Sequence, residues 1–274
     1  MNWHRMLVVA KTDLRQLREA RDFWLPMVIL GSIFFVIVPT ILLLSINQVG
    51  DGPAVQKLAD TLSVLPDSAQ ENIKGDTDTG RTSYALAVFL FAPMAVVVPL
   101  TISTAIGAAT IVGERERGTG EFLAHSPADT REIYLGKLIA SLTPGYTTTL
   151  VGFGVYSLIV NLIVGPEVGG WFFPTAQWWV LMLWVVPPFL AFTLSLVLRL
   201  SAKVRSTAAA QQAAGLVSLP LIMIAYGQST GALFGSGTVI IWIGAIAWIA
   251  AIVGLTRGMG SVRRGNLLGV ADGI

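Results

Sequence analysis

The 274-residue sequence contains no cysteine and only two histidines, His4 and His125. The absence of cysteine excludes disulfide bonds, Cys-ligated zinc sites, iron–sulfur clusters and thiol nucleophiles. Two imidazoles are too few for a poly-histidine metal site within one chain. We therefore predict that this chain holds no metal.

Charged residues are also scarce, at 12% of the sequence, while hydrophobic residues make up 54%. Soluble domains carry about 25% charged residues. A soluble fold of this composition would leave too much apolar surface in contact with water. The composition therefore excludes a soluble globular enzyme and predicts an integral membrane protein.

Long stretches without any charged residue dominate the chain, and they cover residues 23–50, 82–113, 138–166, 168–198 and 206–256. A helical crossing of a bilayer needs about 20 mostly apolar residues, so the last stretch is long enough for two crossings. The runs are continuous rather than alternating, which argues against membrane-spanning strands. We predict an all-α integral membrane protein of one domain (1–274), with six transmembrane helices near residues 26–46, 86–111, 138–163, 178–198, 207–226 and 238–256.

The basic residues indicate the orientation of these helices. Fifteen of the 18 Lys and Arg residues lie in four segments, 1–25, 114–137, 199–205 and 257–274, which six crossings put on the same side. The positive-inside rule assigns that side to the cytoplasm. We expect a multi-pass protein of the cell membrane with both termini cytoplasmic, an extracytoplasmic loop at 47–83 and a cytoplasmic tail at 257–274.

The segments at the two membrane surfaces suggest anchoring. Residues 3–22, within the segment 1–25, have the pattern of an interfacial helix whose Trp3, Leu7, Leu14 and Leu17 face lipid; the alternative is a solvated juxtamembrane segment. A short helix fits residues 54–65 of the outer loop. The five aromatic residues of 165–179 predict an aromatic belt at the outer interface, with a substrate-binding aromatic cluster as the alternative.

One predicted cytoplasmic loop, at 113–137, is unusually rich in charge and reads GERERGTGEFLAHSPADTREIYLGK. Glu114, Arg117 and Glu121 share a helical face by their i, i+3, i+7 spacing, and Gly118 and Gly120 interrupt that helix. In the following Ser126-Pro127-Ala128-Asp129, Ser126 is a suitable N-cap, Pro127 suits the first helical position, and Asp129 can complete a capping box. We predict a helix, a break and a capped helix; the alternative is a stiff loop that only sets topology.

The same loop resembles the signature loop of ABC type-2 permeases, the membrane subunits of ATP-binding-cassette exporters. The matching residues are Glu114, Arg115, Glu116, Arg117, Gly118, Thr119, Glu121, Ser126, Pro127, Gly136 and Lys137. The loop lies between spans two and three of six, after an amphipathic N-terminal helix, as in that family. The chain departs from the family pattern at Gly120, where Leu is usual, and at Phe122 and Ala124 around the usual Leu pair.

The resemblance implies two permease subunits, as a homodimer or a pair of related chains, bound to two cytoplasmic ABC ATPase subunits. The loop would form the coupling helix. Glu114, Arg117 and Glu121 would supply the charged contact and hinge, Ser126 and Pro127 would fix the turn, and Gly136-Lys137 would enter span three. ATP and Mg would be held by the partner ATPase, so this chain would need no cofactor. Membrane lipid is expected as a partner, and nucleic acid is not.

The resemblance also implies a substrate path between the two permeases, lined mainly by spans two and five. Both predicted spans carry small and polar residues that suit close helix contact or a wet cavity; ordinary packing within the chain is the alternative. The candidate path residues are Thr101, Thr104, Gly107, Thr207, Gln211 and Gln212.

Other functions are less compatible with the residues. The chain lacks a P-loop, because Gly136-Lys137 is followed by Leu138 and Arg131 stands where the first Gly is required. The spans contain no His or Asp for a membrane protease or a metal site, and they have no mid-span charge for a proton relay. We expect a transport subunit that is not itself an enzyme. The alternatives are a non-transporting anchor or assembly subunit of the same fold and an ATP-independent carrier.

Overall fold

The computed structural model describes residues 2–62, 67–204, 206–229 and 237–259. Within these ranges the chain is helical and forms no strand. Residues 230–236, between predicted spans five and six, and most of the predicted tail, from residue 260 onward, lie outside the described part. The prediction of an all-α protein is confirmed for the described residues.

The helices in chain order, with three short π-helical turns between them, are as follows. The first part of the chain forms α1 (Trp3–Glu19), α2 (Arg21–Ser32), a π-turn (Ile33–Ile37), α3 (Val38–Val49), α4 (Pro53–Thr61) and α5 (Asp67–Gln70). The middle forms α6 (Asp78–Ala85), a π-turn (Leu86–Leu90), α7 (Met94–Glu116), α8 (Gly120–Ala124) and α9 (Thr130–Ile163). The last part forms α10 (Gly165–Val168), α11 (Ala176–Val180), a π-turn (Leu181–Val185), α12 (Val186–Lys203), α13 (Thr207–Ser229) and α14 (Gly237–Met259).

Five helical segments of the described residues are long and apolar enough to cross a membrane. They match predicted spans one, two, three, four and six, and they are Arg21–Val49, Asp78–Glu114, Thr130–Ile163, Ala176–Lys203 and Thr238–Met259. The predicted fifth span coincides with α13, a helix of 23 residues. Most side chains after residue 219 of α13 lie outside the described part, so five of the six predicted crossings have structural support.

Two of these helical segments begin earlier than the apolar runs of the sequence. The second span begins in α6, where Thr77 is the N-cap and its side-chain oxygen accepts from the Gly80 N–H at 3.0 Å. The third begins at Thr130, eight residues before the predicted boundary. Helical hydrogen bonding continues through polar residues until a capping side chain ends it, so helix ends extend past the apolar runs.

The second membrane segment, Asp78–Glu114, lies at the centre of the bundle. Its most apolar window is 72% buried, compared with 22% for Arg21–Val49 and 28% for Thr238–Met259. Its helix α7 packs against α9, α12 and α13. The first and last segments therefore leave most of their apolar surface uncovered, as helices that face lipid do.

Helices α7 and α9 approach closely at Gly145. A Cβ atom at this position would lie 2.7 Å from the carbonyl oxygen of Pro99 and in collision with the Ser103 hydroxyl. Backbone cannot give way as the end of a flexible side chain does. The close contact of the two helices therefore requires a residue without a side chain at position 145.

The segment 47–83 contains more helix than a polar loop would. Helix α4 (Pro53–Thr61) confirms the predicted short helix. The Asp51 carboxylate accepts hydrogen bonds from the N–H and the hydroxyl of Thr79, at 2.9 and 2.7 Å. This contact fastens the segment to the beginning of α6.

The aromatic segment 165–179 is only partly the belt that the sequence predicts. Trp171 is 71% exposed, whereas Phe173 and Trp178 are buried and stack with Phe153 and Tyr156. These contacts with α9 put half of the segment inside the protein, and no sequence pattern distinguishes a buried aromatic cluster from an interfacial one.

Two of these aromatic side chains also hold the π-turn of the second segment. The Trp178 indole N–H donates to the carbonyl oxygen of Val88 at 3.0 Å, and the Tyr156 hydroxyl donates to that of Ala87 at 2.7 Å. Buried indole and phenol groups need such acceptors. The cluster is therefore a packing element between α9, α11 and the second segment.

Candidate functional site

The N-terminal helix α1 lies along the beginning of α9. Met6 and Ala10 are buried in this contact, and a Cβ atom at Gly136 would lie 2.9 Å from the carbonyl oxygen of Met6. Trp3 and Leu7 are exposed, as predicted for a lipid-facing surface, whereas Leu14 and Leu17 are half-buried against the protein. The segment is thus an ordered helix packed on the bundle.

A buried cluster of three charged side chains joins α1, α7 and α9. The Lys137 side chain is only 1% exposed, and its Nζ lies 3.1 Å from Asp13 Oδ2 and 3.1 Å from Glu114 Oε1. We refer to Asp13, Glu114 and Lys137 as the charge cluster. Glu114, predicted for a surface contact, and Lys137, predicted only for the entry into span three, instead pair inside the protein.

Asp13 is the member of the charge cluster that the sequence analysis missed. A signal was available, because Asp13 follows Met6 and Ala10 at i, i+4, i+7 spacing and so lies on the buried face of α1. Burial raises the pKa of the Asp13 carboxyl, and the Lys137 ammonium opposes this increase. The ion pair therefore offsets only part of the free-energy cost of burying this carboxylate.

Glu114 also organises the end of α7. Its carboxylate accepts from the Thr119 hydroxyl, and its backbone carbonyl accepts from the Thr119 N–H at 2.9 Å. The Arg117 guanidinium lies 3.9 Å from the same carboxylate, with a side chain that is 52% exposed. Glu114 thus ties the turn after α7 to the charge cluster.

The predicted helix break occurs at Gly118. Helix α7 ends at Glu116, and Gly118 has φ = 71°, in the left-handed region that favours glycine. Glu121 therefore belongs to the next helix, α8, and does not share a helical face with Glu114 and Arg117 as predicted. The positive φ ends the helical register between them.

Helix α8 presents an uncovered surface that includes a large apolar side chain. Phe122 is 81% exposed, and Glu121 and His125 on the same short segment are exposed as well. The sequence analysis noted Phe122 only as a departure from a family pattern. An exposed aromatic side chain between polar neighbours is typical of a contact surface for another protein.

Helix α9 begins with a different cap from the predicted one. Asp129 is the N-cap and forms a capping box with Glu132, whose carboxylate accepts from the Asp129 N–H at 3.0 Å. The Ser126 hydroxyl instead donates to the Leu123 carbonyl at 2.8 Å, at the end of α8. The predicted cap at Ser126 is wrong because its hydroxyl turns back onto the preceding helix.

The N-terminal helix is also attached to this turn. The Arg5 guanidinium donates to the Pro127 carbonyl oxygen at 2.7 Å, and the Asn2 N–H donates to the Glu132 carboxylate. Together with the charge cluster, these contacts join α1 to both ends of segment 113–137. The segment is therefore fixed to the bundle at several points and exposes α8.

Glu116, at the end of α7, contacts the beginning of α13. One carboxylate oxygen accepts from the Thr207 N–H at 2.8 Å, and the other accepts from the Thr207 hydroxyl at 2.5 Å. The two residues are 91 positions apart, so no local sequence signal could indicate this contact. The side chain of the neighbouring Arg115 lies outside the described part.

The candidate path residues divide into two groups. Thr104 and Gly107 are buried, with the Thr104 hydroxyl donating to Leu100 at 2.7 Å and Gly107 packed against Leu194. Thr101, Gln211 and Gln212 are exposed, and Thr207 is engaged by Glu116. A surface between two chains could therefore use Thr101, Gln211 and Gln212, whereas Thr104 and Gly107 serve packing within this chain.

A cavity of about 320 Å³ lies beside the charge cluster, between α1, α7 and α9. Its lining includes all three members of the charge cluster together with Leu17, Phe23 and Arg117. Two cations and two carboxylates face it in close proximity, so their charges balance. Among the residues that the structure describes, no three His, Asp or Glu side chains are grouped so as to hold a metal ion.

Comparison with known proteins agrees with these features. The family described as "ABC-2 family transporter protein" matches residues 7–255, which include most of α1, the segment 113–137 and the five apolar membrane segments. No curated protein matches the sequence. Members of this family are multi-pass membrane permeases that typically have no catalytic activity of their own and generally work with ATPase subunits. Because the match spans most of the chain, this protein belongs to the ABC-2 family of transporter proteins.

Proposed function

We propose that this protein is the permease subunit of an ATP-driven ABC exporter. Two permease chains would form the substrate path, and each would rest on a separate cytoplasmic ATPase subunit that binds ATP and Mg. The observation that carries the proposal is α8, a short helix with an 81% exposed Phe122, held at the end of the central helix α7.

The proposed topology has six crossings with both termini in the cytoplasm. Helix α13, with its 23 residues, would be the fifth crossing. The bias of Lys and Arg toward the segments 1–25, 114–137, 199–205 and 257–274 supports this orientation. In this orientation α8 faces the cytoplasm, where an ATPase subunit can reach it.

The surroundings of α8 suit the transmission of force. A coupling helix must be held firmly, since a flexible loop would absorb the motion of the partner. The charge cluster and the contacts of Arg5 and Asn2 connect the segment 113–137 to α1 and α9. We infer that α8 is the coupling helix, and that closure of the ATPase subunits on ATP moves α7 and α9 through it.

The same geometry refines the role of the signature acids. Glu121 is exposed on α8 and suits a polar contact with the ATPase beside Phe122, whereas Glu114 is buried and suits the hinge. Thr101 on α7 and Gln211 and Gln212 on α13 would face the second permease chain or the substrate path. Direction of transport enters this proposal from the family resemblance.

Purification of the tagged full-length chain from its own membranes tests the proposal. We expect a P-loop ATPase to co-purify in equal amount, with two copies of each subunit by native mass spectrometry and ATP hydrolysis that depends on Mg. A preparation that contains the permease but no P-loop protein would contradict it and favour an ATP-independent carrier.

A further inference from the structure

The contact between Glu116 and Thr207 is more specific than helix capping requires. Helix α13 already has a local cap, because the Ser206 hydroxyl accepts from the Ala209 N–H at 3.2 Å. The Glu116 carboxylate adds a second acceptor for the first turn and comes from another membrane segment. A carboxylate at this place also complements the positive end of the helix dipole.

Glu114 and Glu116 hold opposite sides of the same helix end. Residues two positions apart lie about 200° apart around a helix. Glu114 accordingly reaches Lys137 on α9, while Glu116 reaches Thr207 on α13. The end of α7, immediately before the break at Gly118, is therefore tied to the beginnings of both the third segment and α13.

The rest of this interface is suited to joint movement. Ala210 and Ala214 of α13 are buried against Ala108 and Val112 of α7, where small side chains allow close packing. At the end of α12, the Ser201 hydroxyl donates to the Ala108 carbonyl at 2.6 Å. The first turns of α13 therefore have no separate support and follow the end of α7.

We propose that Glu116 is a positioning residue that makes the first turns of α13 move with α7 and α8 during the nucleotide cycle. This inference rests on the proposed function, since it assumes that an ATPase moves α8. It deepens that function by naming the contact through which the motion reaches a helix that carries the candidate path residues Gln211 and Gln212.

The cysteine-free sequence allows a direct test with one reporter thiol. A Gln211→Cys reporter lies on the exposed side of α13, and its rate of reaction with a maleimide is measured in the complete complex. The two states compared are nucleotide-free and trapped with ATP, Mg and vanadate. We expect a several-fold difference in labelling rate between these states in the otherwise wild-type chain.

In the Glu116→Ala variant we expect this difference to disappear while the ATPase subunit stays bound. Glu116→Gln should retain part of it, because the amide oxygen still accepts one hydrogen bond, and Thr207→Val should be intermediate because the backbone N–H remains. Glu19→Ala is the matched control, since its carboxylate is exposed on α1 and its removal should leave the difference intact.

The outcomes separate this inference from the proposed function. If the complex forms and Glu116→Ala keeps the full wild-type difference, or if the wild-type complex shows no difference, the positioning role is wrong and the permease function stands. If no ATPase subunit is retained by the wild-type chain, the proposed function fails, and this inference fails with it. Should Glu116→Ala not yield a folded complex, Glu116→Gln and Thr207→Val decide by the same measurement.

Discussion

Replacement of Lys137 by methionine is expected to lower the free energy of unfolding by about 3–5 kcal/mol. Lys137 is 1% exposed and is within 3.1 Å of the carboxylates of both Asp13 and Glu114. Without the ammonium, two carboxylates remain close to each other in the interior with no cation between them. Thermal and denaturant unfolding of the detergent-purified protein measures this loss.

Two controls separate burial of unpaired charge from loss of packing. The triple variant Lys137→Met, Asp13→Asn, Glu114→Gln removes all three charges and should recover most of the lost stability. Arg15→Met breaks an ion pair with Glu19 whose side chains are 81% and 65% exposed, and it should change stability little. Wild-type stability of the single Lys137→Met variant would show that the charge cluster does not hold the helices together.

Replacement of Phe122 by aspartate is expected to reduce the recovery of the ATPase subunit by roughly tenfold or more, because aromatic side chains at the centre of an interface carry a large share of binding energy. Phe122 is 81% exposed in the isolated chain, so the substitution should leave folding intact. Co-purification with the tagged permease, together with a melting curve of the permease itself, measures both effects.

Trp171 provides a matched control for this substitution. It is likewise exposed, at 71%, but it lies between α10 and α11 on the side that the proposed topology assigns to the exterior. Trp171→Asp should retain the ATPase, and Phe122→Leu should retain most of it. Equal recovery of the ATPase with Phe122→Asp and with the wild-type chain would remove α8 from the docking surface.

The features that could be predicted from the sequence depend on local order. Membrane segments follow from uncharged runs of sufficient length, because burying a charge in lipid is costly wherever the helix packs. The break at Gly118 follows from a glycine among charged residues, and the structure has a left-handed conformation there. The resemblance to ABC type-2 permeases likewise rested on a contiguous motif, and the family comparison confirms it.

The features that could not be predicted join distant positions. Lys137 is 124 residues from Asp13, and Thr207 is 91 residues from Glu116. Each of these polar residues satisfies a sequence pattern equally well whether it faces water or a partner. For this reason Glu114 was assigned to the surface, although it is buried beside Lys137.

Competition between neighbouring capping residues explains the remaining difference in this region. Ser126 and Asp129 both suit the beginning of a helix, but the Ser126 hydroxyl bonds back to Leu123, and Asp129 directly precedes Thr130. In the aromatic segment, Trp171 and Trp178 have the same composition and differ only in what packs on them. Side-chain chemistry alone does not decide such choices.

The central claim is that α8 lies in the cytoplasm, where an ATPase can act on it, and labelling of single thiols tests it most directly. Because the chain has no cysteine, a Phe122→Cys reporter and a Trp171→Cys reporter can each be treated with a membrane-impermeant maleimide in intact cells and in inverted membrane vesicles. We predict that the reporter at position 122 reacts only in inverted vesicles and that the reporter at position 171 reacts in intact cells. Reaction of the position-122 reporter in intact cells would place α8 outside the cytoplasm and contradict the account.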